Sequence, residues 1–379
     1  MMLRHMRIEA IIETRPGYTM VAGRVSSAPP ASTTIAEGDA IKALVLEDNV
    51  GPVSVGQTLL VEVSALAKRL GTGGFAMCVA NLSALPADVL PADGHIVKAR
   101  YTPSQTMVAS VDEQDSPHFK VLENAEDLGG MPVVVADLHS ALPAIVAGIR
   151  LRDPLLRVVY VHTDGAALPL KFSSTVAGLK DAGWIDTSIT CGQSYGGDLE
   201  AINVYTALLA AKHVVGADIA VVAQGPGNAG TGTRWGFSGV EVGNTLNAAR
   251  VLGGKPVACL RVSSADKRPR HYGVSHHSMT VLTHMCLGSV VVPVPELAAL
   301  GNLEGKTLPQ GFIAHLSPDI ESLKAAGHTL VETPIDGLYE ALQASPIKLS
   351  TMGRSLNEDP AAFLFAGAAG AASMASVTE

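Results

Sequence analysis

From residue 131 onward, short apolar runs alternate with helix-like stretches, and this alternation restricts the fold more than any other feature of the chain. Each run is continuously apolar, which is typical of strands that are covered on both faces. Strands that alternate with helices predict right-handed crossovers and a mostly parallel sheet. The strand-like runs are residues 132–136, 157–161, 187–190, 218–223, 256–262, 289–294 and 329–332.

Helix-like stretches lie between these runs, at residues 141–149, 199–215 and 240–252. An Ala/Gly-rich stretch at 361–376 predicts a C-terminal helix that fills the core or forms a subunit contact, so a homodimer stays open. We therefore expect residues 129–379 to form a Rossmann-like α/β domain, with a doubly wound sheet and helices on both of its faces.

The first 128 residues follow a different pattern. Short apolar runs are separated by Gly, Pro and Asp, which predicts a small all-β domain, either a barrel or a sandwich. The acidic segment 112–117 and residues 123–130 resemble a linker. The 379 residues are thus expected to divide into a β-rich domain at 1–128 and a larger α/β domain at 129–379.

Charge and cysteine usage argue against several classes of partner. The chain has 27 Lys+Arg and 35 Asp+Glu, a net charge of −8, and therefore offers no general basic field to a nucleic-acid backbone. It has no signal-peptide pattern and no apolar run of about 18 residues, the length of a membrane helix. Its four cysteines form no C-x-x-C pair. We expect a cytoplasmic protein with reduced thiols that binds neither nucleic acid nor membrane.

Polar residues concentrate where the predicted strands end. In open α/β sheets, ligands bind beyond the carboxyl ends of the strands. The polar stretches at these positions are residues 137–140, 162–165, 191–198, 224–239 and 263–271. The sequence therefore predicts an active or binding site along this edge of the sheet.

The fourth of these loops contains G-x-G-x-x-G at Gly225, Gly227 and Gly230. A dinucleotide site also needs a helix that opens within the glycines and an acidic residue about 20 positions further on. Here the loop continues beyond the glycines, and Asp266 comes too late. The sequence thus argues against a standard NAD site.

A helix start is predicted just after this loop, where Ser238 and Glu241 have the spacing of a capping box. A helix N-terminus favours an anion, and Arg234 could add a full positive charge. The alternative is a tight connection that only needs positive φ. The predicted substrate-binding residues of this loop are Gly225, Gly227, Gly230, Thr231, Gly232, Thr233, Arg234 and Ser238.

The fifth loop is a local basic patch in an acidic chain. Residues 261–277 carry four Arg or Lys, one acid and three histidines. Arginine offers bidentate geometry to phosphate or carboxylate, so Arg268 and Arg270 are predicted to bind substrate. Histidine titrates near neutral pH and suits acid–base chemistry. The candidate catalytic residues are His139, His162, His271, His276, His277 and Asp266; the alternative for this loop is a solvated surface.

A divalent metal is a second possibility at this edge. Residues i and i+2 of a strand point the same way, which pairs Asp137 with His139 and His162 with Asp164. These four, together with His276 or His277, could form a nitrogen and oxygen ligand shell. Alternatively, the same side chains cap a helix and hydrogen-bond the loops.

Nine short segments along the chain carry a resemblance to a known family: residues 70–74, 94–103, 138–140, 225–227, 230–233, 236–239, 264–271, 273–278 and 350–354. Together they resemble a family of bacterial proteins of similar length whose function is unknown. The resemblance covers nearly the whole chain and implies no activity or catalytic residues.

Two hypotheses for the function remain. In the first, the protein is an enzyme, a hydrolase or transferase, that acts on a small phosphorylated or nucleotide-like anion. In the second, it is a noncatalytic metabolite-binding or regulatory protein that uses the same pocket. The residue pattern favours the enzyme.

Overall fold

The protein is described by a computed structural model, which covers residues 1–70, 73–88, 94–300 and 308–373. Gly71 and Thr72 of the family-like motif, and residues 374–376 of the Ala/Gly-rich stretch, lie outside the described residues. The chain forms two compact units, Met1–Val108 and Ala109–Glu379.

The first unit is built on a closed barrel with the strand order β1-β2-β3-β5-β4, in which β4 also pairs with β1. Buried and exposed residues alternate at the start of β1, because successive side chains of a strand point to opposite faces. Met6, Ile8 and Val21 belong to the small core inside the barrel. The elements are β1 (Leu3–Arg15), β2 (Tyr18–Ser27), β3 (Ala40–Leu46), α1 (Glu47–Val50), β4 (Thr58–Glu62), α2 (Ser64–Ala67), β5 (Ala76–Asn81), and the pair β6 (Ile96–Lys98) and β7 (Thr106–Val108).

Residues 109–128, which the sequence assigns to the first domain, form part of the second compact unit. The Val111 amide donates a hydrogen bond to the carbonyl of Glu200, and the Leu128 amide donates one to the carbonyl of Leu252. Leu128 is also fully buried in the larger core. These contacts tie both ends of the segment to the α/β unit.

The second unit contains an eight-stranded parallel sheet, which confirms the predicted α/β class. Its order is β11-β10-β9-β12-β8-β13-β16-β17. The central strands are continuously buried, as the apolar runs predict. The strands of this unit are β8 (Pro132–Ala136), β9 (Val158–Thr163), β10 (Thr187–Thr190), β11 (Leu199–Glu200), β12 (Ile219–Gln224), β13 (Lys255–Ala258), β14 (Val262–Ser263), β15 (Gly273–Val274), β16 (Val291–Pro295), β17 (Thr329–Thr333), β18 (Ser350–Thr351) and β19 (Arg354–Ser355).

Helices cover both faces of this sheet. Helices α4, α11 and α12 pack together, whereas α6, α7, α8 and α10 form a second contiguous group. The helices of the unit are α3 (Phe119–Leu122), α4 (Leu142–Arg152), α5 (Ser174–Asp181), α6 (Val204–Ala210), α7 (Glu241–Val251), α8 (His276–His284), α9 (Leu297–Leu300), α10 (Phe312–Ala325), α11 (Leu338–Gln343) and α12 (Pro360–Ala372). Over the described ranges, no helix combines the length and the apolar character needed to cross a membrane.

The prediction of a helix from residue 199 was wrong at its start. Residues Leu199–Glu200 form the edge strand β11, and helix α6 begins only at Val204. Asn203 is the N-cap residue of this helix, since its side chain accepts hydrogen bonds from the amides of Tyr205 and Thr206. A π-helical turn, Ala211–Val215, continues the helix.

The Ala/Gly-rich helix α12 is a core element. Nearly every residue of α12 is buried, and the helix packs closely against α4. A Cβ atom on Gly370 would lie 1.9 Å from the carbonyl oxygen of Ile145, and one on Gly148 would lie 1.9 Å from that of Gly367. The small residues therefore let two backbones approach within one unit, which supports the core-filling alternative for this stretch.

Candidate functional site

Asp137 lies directly after β8, at the carboxyl edge of the parallel sheet, where three neighbouring cavities share it as a lining residue. The largest encloses about 500 Å³ of free space, part of it open to solvent, and the other two about 260 and 200 Å³. Strand order reverses around β8 and β12, which is where doubly wound sheets bind ligands. We call Asp137, Arg261, His271, His276 and His277 the edge cluster.

The Asp137 carboxylate is buried and accepts from two donors. Its Oδ2 atom lies 3.3 Å from Nη1 of Arg261 and 3.1 Å from Nδ1 of His277. Burial raises the pKa of Asp137, but the charge of Arg261 and the hydrogen bond from His277 together outweigh it, so the pKa lies below its ordinary value. An ionised carboxylate only accepts hydrogen bonds. In the neutral tautomer that donates Nδ1–H to this carboxylate, the Nε2 atom of His277 keeps a lone pair; Nη1 of Arg261 lies 3.1 Å from the same Nδ1 atom.

Contacts with Phe237, with the glycine-rich loop and with Ser275 fix the ring of His277. Phe237 stacks on it, with centroids 3.8 Å apart and planes inclined by 7°. A Cβ atom on Gly230 would lie 3.7 Å from Nε2 of His277, so the glycine-rich loop lies against that atom. Ser275 caps helix α8 by accepting a hydrogen bond from the His277 amide. The ring is thus held on several sides while one nitrogen faces the loop.

His271 and His276 complete the group of imidazoles. Nδ1 of His271 lies 2.8 Å from Oγ of Ser275. Burial first, and then the charges of Arg261 and Arg268, lower the pKa of His271 to about 3. Burial, His277 and Arg270 lower the pKa of His276. Both rings are therefore neutral near pH 7 and have a nitrogen lone pair.

The predicted catalytic residues His139 and His162 lie in a buried hydrogen-bond network instead. The hydroxyl of Tyr160 lies 3.1 Å from Nδ1 of each histidine and donates to the carbonyl of Ala223. Nε2 of His139 lies 2.7 Å from Oγ of Ser173. Burial, with a further contribution from His162, lowers the pKa of His139 to about 3. This network joins β9 to the residues after β8 and to the start of α5.

The structure does not bring the four predicted metal ligands together. Asp137 pairs with Arg261 and His277, while Oδ2 of Asp164 accepts from the amide of Gln193. His139 follows the end of β8 in a 3-10 turn, so the i, i+2 rule for strands does not apply to it. Within the described ranges, the group that could hold a metal is instead His271, His276 and His277, whose ligand atoms lie within 4.8 Å of one another.

The glycine-rich loop folds back on itself. Residues 229–238 form a short hairpin, which we call the glycine hairpin, closed by a bridge between Gly230 and Phe237. The amides of Thr231 and Ser238 donate to carbonyls across this hairpin. Several of its amides are therefore engaged internally. The hairpin is exposed from Gly230 through Trp235, and this exposed part includes the predicted substrate-binding residues Thr231, Gly232, Thr233 and Arg234.

The predicted capping box at Ser238 was wrong. The Ser238 hydroxyl donates to Oδ1 of Asn228 and accepts from the Ala229 amide, so it closes the glycine hairpin. Helix α7 begins at Glu241 without a side-chain cap. A Cβ atom on Gly239 would lie 2.8 Å from Cβ of Asp137, which places a carboxylate beside this helix start. A second anion is disfavoured there.

The basic loop divides into paired and unpaired charges. Asp266 accepts two hydrogen bonds from the guanidinium of Arg268, and these hold the pKa of Asp266 far below its usual range. Asp266 is therefore a weak base, and the guanidinium of Arg268 is already paired with it. Arg270 is exposed, and among the described residues it has no hydrogen-bond or ion-pair partner. Its charge acts on His276.

Sequence reasoning missed Tyr160 and the pair Arg354 and Asp359. The i, i+2 rule that selected His162 also places Tyr160 on the same face of β9, and this was the available signal. Asp359 is fully buried and accepts from Ser263 and Arg354. Its partner Ser263 is almost a hundred positions away, so no local pattern identifies it.

Comparison with known proteins gives a family. A family model described as "Protein of unknown function (DUF3866)" matches residues 42–370, which is most of the chain. No curated protein matches the sequence.

Proposed function

The chain belongs to this family of unknown function, and from its site we propose that it is an enzyme that hydrolyses, or transfers a group from, a small anionic substrate. The observation that carries the proposal is the Asp137–His277 pair, in which Asp137 lines three cavities and His277 lines one of the same three. Active sites are the places where buried, charge-coupled titratable groups line a pocket.

The charges around the pocket favour an anion. Asp137 is balanced by Arg261, and the acids Asp266 and Asp359 are balanced by Arg268 and Arg354. The exposed cations Lys267 and Arg270 then remain in excess. Helix α8 begins at His276 and adds the positive end of its dipole to the same region. We therefore place the anionic group near this helix start.

Substrate chemistry would use the imidazole of His277. Asp137 holds its Nδ1–H, which leaves a lone pair on Nε2 that can accept a proton or bind a Lewis acid. Arg261 shares the same carboxylate oxygen and could stabilise negative charge that develops on the substrate. The glycine hairpin, which touches Nε2 of His277 through Gly230, would form one wall of the site.

The predicted location and assembly also belong to this proposal. The four cysteines, all within the described ranges, are free thiols, as is typical of proteins in a reducing compartment. We propose a cytoplasmic enzyme that needs no nucleic acid, membrane or NAD. Whether it forms a homodimer is decided by its mass in solution.

A ligand screen followed by turnover assays tests the proposal. Thermal shifts are measured with orthophosphate, nucleotides, phosphosugars and dicarboxylates, and each stabilising compound is then assayed for product formation. Arg270→Ala should weaken binding roughly 10-fold or more, because a charged hydrogen bond contributes about 1.5–3 kcal/mol. Arg7→Ala, which removes an exposed arginine of β1, is the matched control and should bind normally.

The outcomes separate the two classes of function. Turnover that is lost in Asp137→Asn, with the fold checked by circular dichroism, supports the enzyme. Stabilisation without turnover of any ligand supports the noncatalytic metabolite-binding protein. If no anion stabilises the protein, or if Arg270→Ala binds as the wild type does, our assignment of the anion site is wrong.

A further inference from the structure

We propose that His271, His276 and His277 together bind one divalent transition-metal ion of the zinc class. This inference goes beyond the proposed function, since such an ion would bind whether the protein is an enzyme or a sensor. One ligand atom from each histidine lies within 4.8 Å of the other two, and no other group of this kind occurs within the described ranges.

The spacing of the three rings matches a shared ion. Imidazoles that bind one zinc ion at about 2.0–2.1 Å with tetrahedral angles have ring centroids roughly 5 Å apart. The observed centroid separations are 5.1 Å for His271 and His276, 5.1 Å for His271 and His277, and 4.5 Å for His276 and His277. The ring planes are inclined by 48°, 89° and 66°, so no two of these rings stack face to face.

Hydrogen bonds leave one nitrogen of each ring available. Asp137 engages Nδ1 of His277, and Ser275 engages Nδ1 of His271. Metal-binding histidines commonly give their second nitrogen to a carboxylate or another oxygen in this way, which fixes tautomer and ring orientation. Nε2 of His276 is buried and has no hydrogen-bond partner among the described groups. An ion would satisfy this atom, which otherwise stays buried without a partner at a cost in free energy.

The charges near the three histidines decide what else the site would hold. Arg261 and Arg270 disfavour a cation, but Asp137 already offsets Arg261. The remaining excess positive charge would be reduced if an anion took the open coordination position. Three neutral nitrogen ligands suit zinc, cobalt, nickel or copper rather than magnesium or calcium, which prefer oxygen.

Titration with a metal alone tests the inference. Full-length protein without a histidine tag is stripped with EDTA and titrated with Co²⁺, whose visible absorption reports low-symmetry nitrogen coordination, and Zn²⁺ is then added as a competitor. We expect one Co²⁺ per chain and displacement by Zn²⁺. His276→Ala should abolish the absorption, and Asp137→Asn should weaken binding about 10–100-fold, as loss of a hydrogen-bond partner of a ligand does.

His284→Ala removes an exposed histidine from the same helix and is the matched control. If folded wild-type protein gives no Co²⁺ absorption, or if His284→Ala loses as much affinity as His276→Ala, the metal site is refuted. No substrate is used, so this result is independent of the ligand screen. Turnover without metal binding would overturn only this inference, and metal binding without anion binding would overturn only the proposed function.

Discussion

Acid should destabilise the α/β unit through His139, because this buried imidazole resists protonation in the folded protein. Its pKa falls from the ordinary value of 6.5 to about 3 on folding. Between these two values, the unfolded chain binds a proton on His139 and the folded chain does not. Stability is therefore unaffected above about pH 7 and is lost as the pH falls through this window.

The size of the effect follows from the two pKa values. One pKa unit corresponds to about 1.4 kcal/mol. At pH 5 the contribution of His139 is a loss of about 2 kcal/mol, and the limiting loss below pH 3 is about 5 kcal/mol. At pH 7, His139→Gln should cost about 1–3 kcal/mol, since the partners Tyr160 and Ser173 lose a hydrogen bond.

Urea unfolding at pH 7 and pH 5 measures this difference. Both tryptophans, Trp184 and Trp235, lie in the second unit, so their fluorescence follows its unfolding. Between the two pH values the wild type should lose about 2 kcal/mol more than His139→Gln. His5→Gln, which replaces an exposed histidine of β1, is the control and should keep the wild-type dependence. An equal loss in wild type and His139→Gln would refute the role of the buried imidazole.

Four further substitutions test the packing of α12 and the hydrogen bonds near the site. Gly370→Ala should destabilise the protein by about 1–3 kcal/mol in urea unfolding, because its Cβ would meet the backbone carbonyl of Ile145 in α4. Gly367→Ala is the comparison and should cost less, because its Cβ would meet the end of the Leu338 side chain and not backbone. Asp359→Asn should cost about 1–3 kcal/mol by the same assay, since it removes the charge of a fully buried carboxylate that accepts from Ser263 and the partly exposed Arg354; a change no larger than that of an exposed Asp→Asn control would count against the cluster. Ser238→Ala should speed hydrogen exchange at the Ala229 amide, and unchanged protection would show that the hydroxyl does not close the glycine hairpin.

The sequence predicted the architecture because the relevant signals are local. Continuous apolar runs and their spacing identify β8 and its neighbours, and short runs between turn residues identify the barrel. The site edge was also predictable, since the carboxyl ends of parallel strands lie on one side of a sheet. Asp137 and His271 of the edge cluster come from two of the loops selected in this way, whereas His276 and His277 lie in the first turn of helix α8.

The pairing of charges within the site was not predictable from composition. The basic loop shows four cations and one acid, but not that Arg268 is engaged by Asp266 or that Arg354 arrives from a distant hairpin. Likewise, Asp137 and His139 are two positions apart, yet the strand ends before them and their side chains join different networks. Such contacts depend on long-range packing, which periodicity does not encode.

The most direct test of the central claim is a crystal structure of the protein with the anion that stabilises it best. We expect the anion to lie at the start of α8, within hydrogen-bond distance of Arg270. An anion bound in the first unit, or at the tip of the glycine hairpin around Arg234, would contradict this expectation.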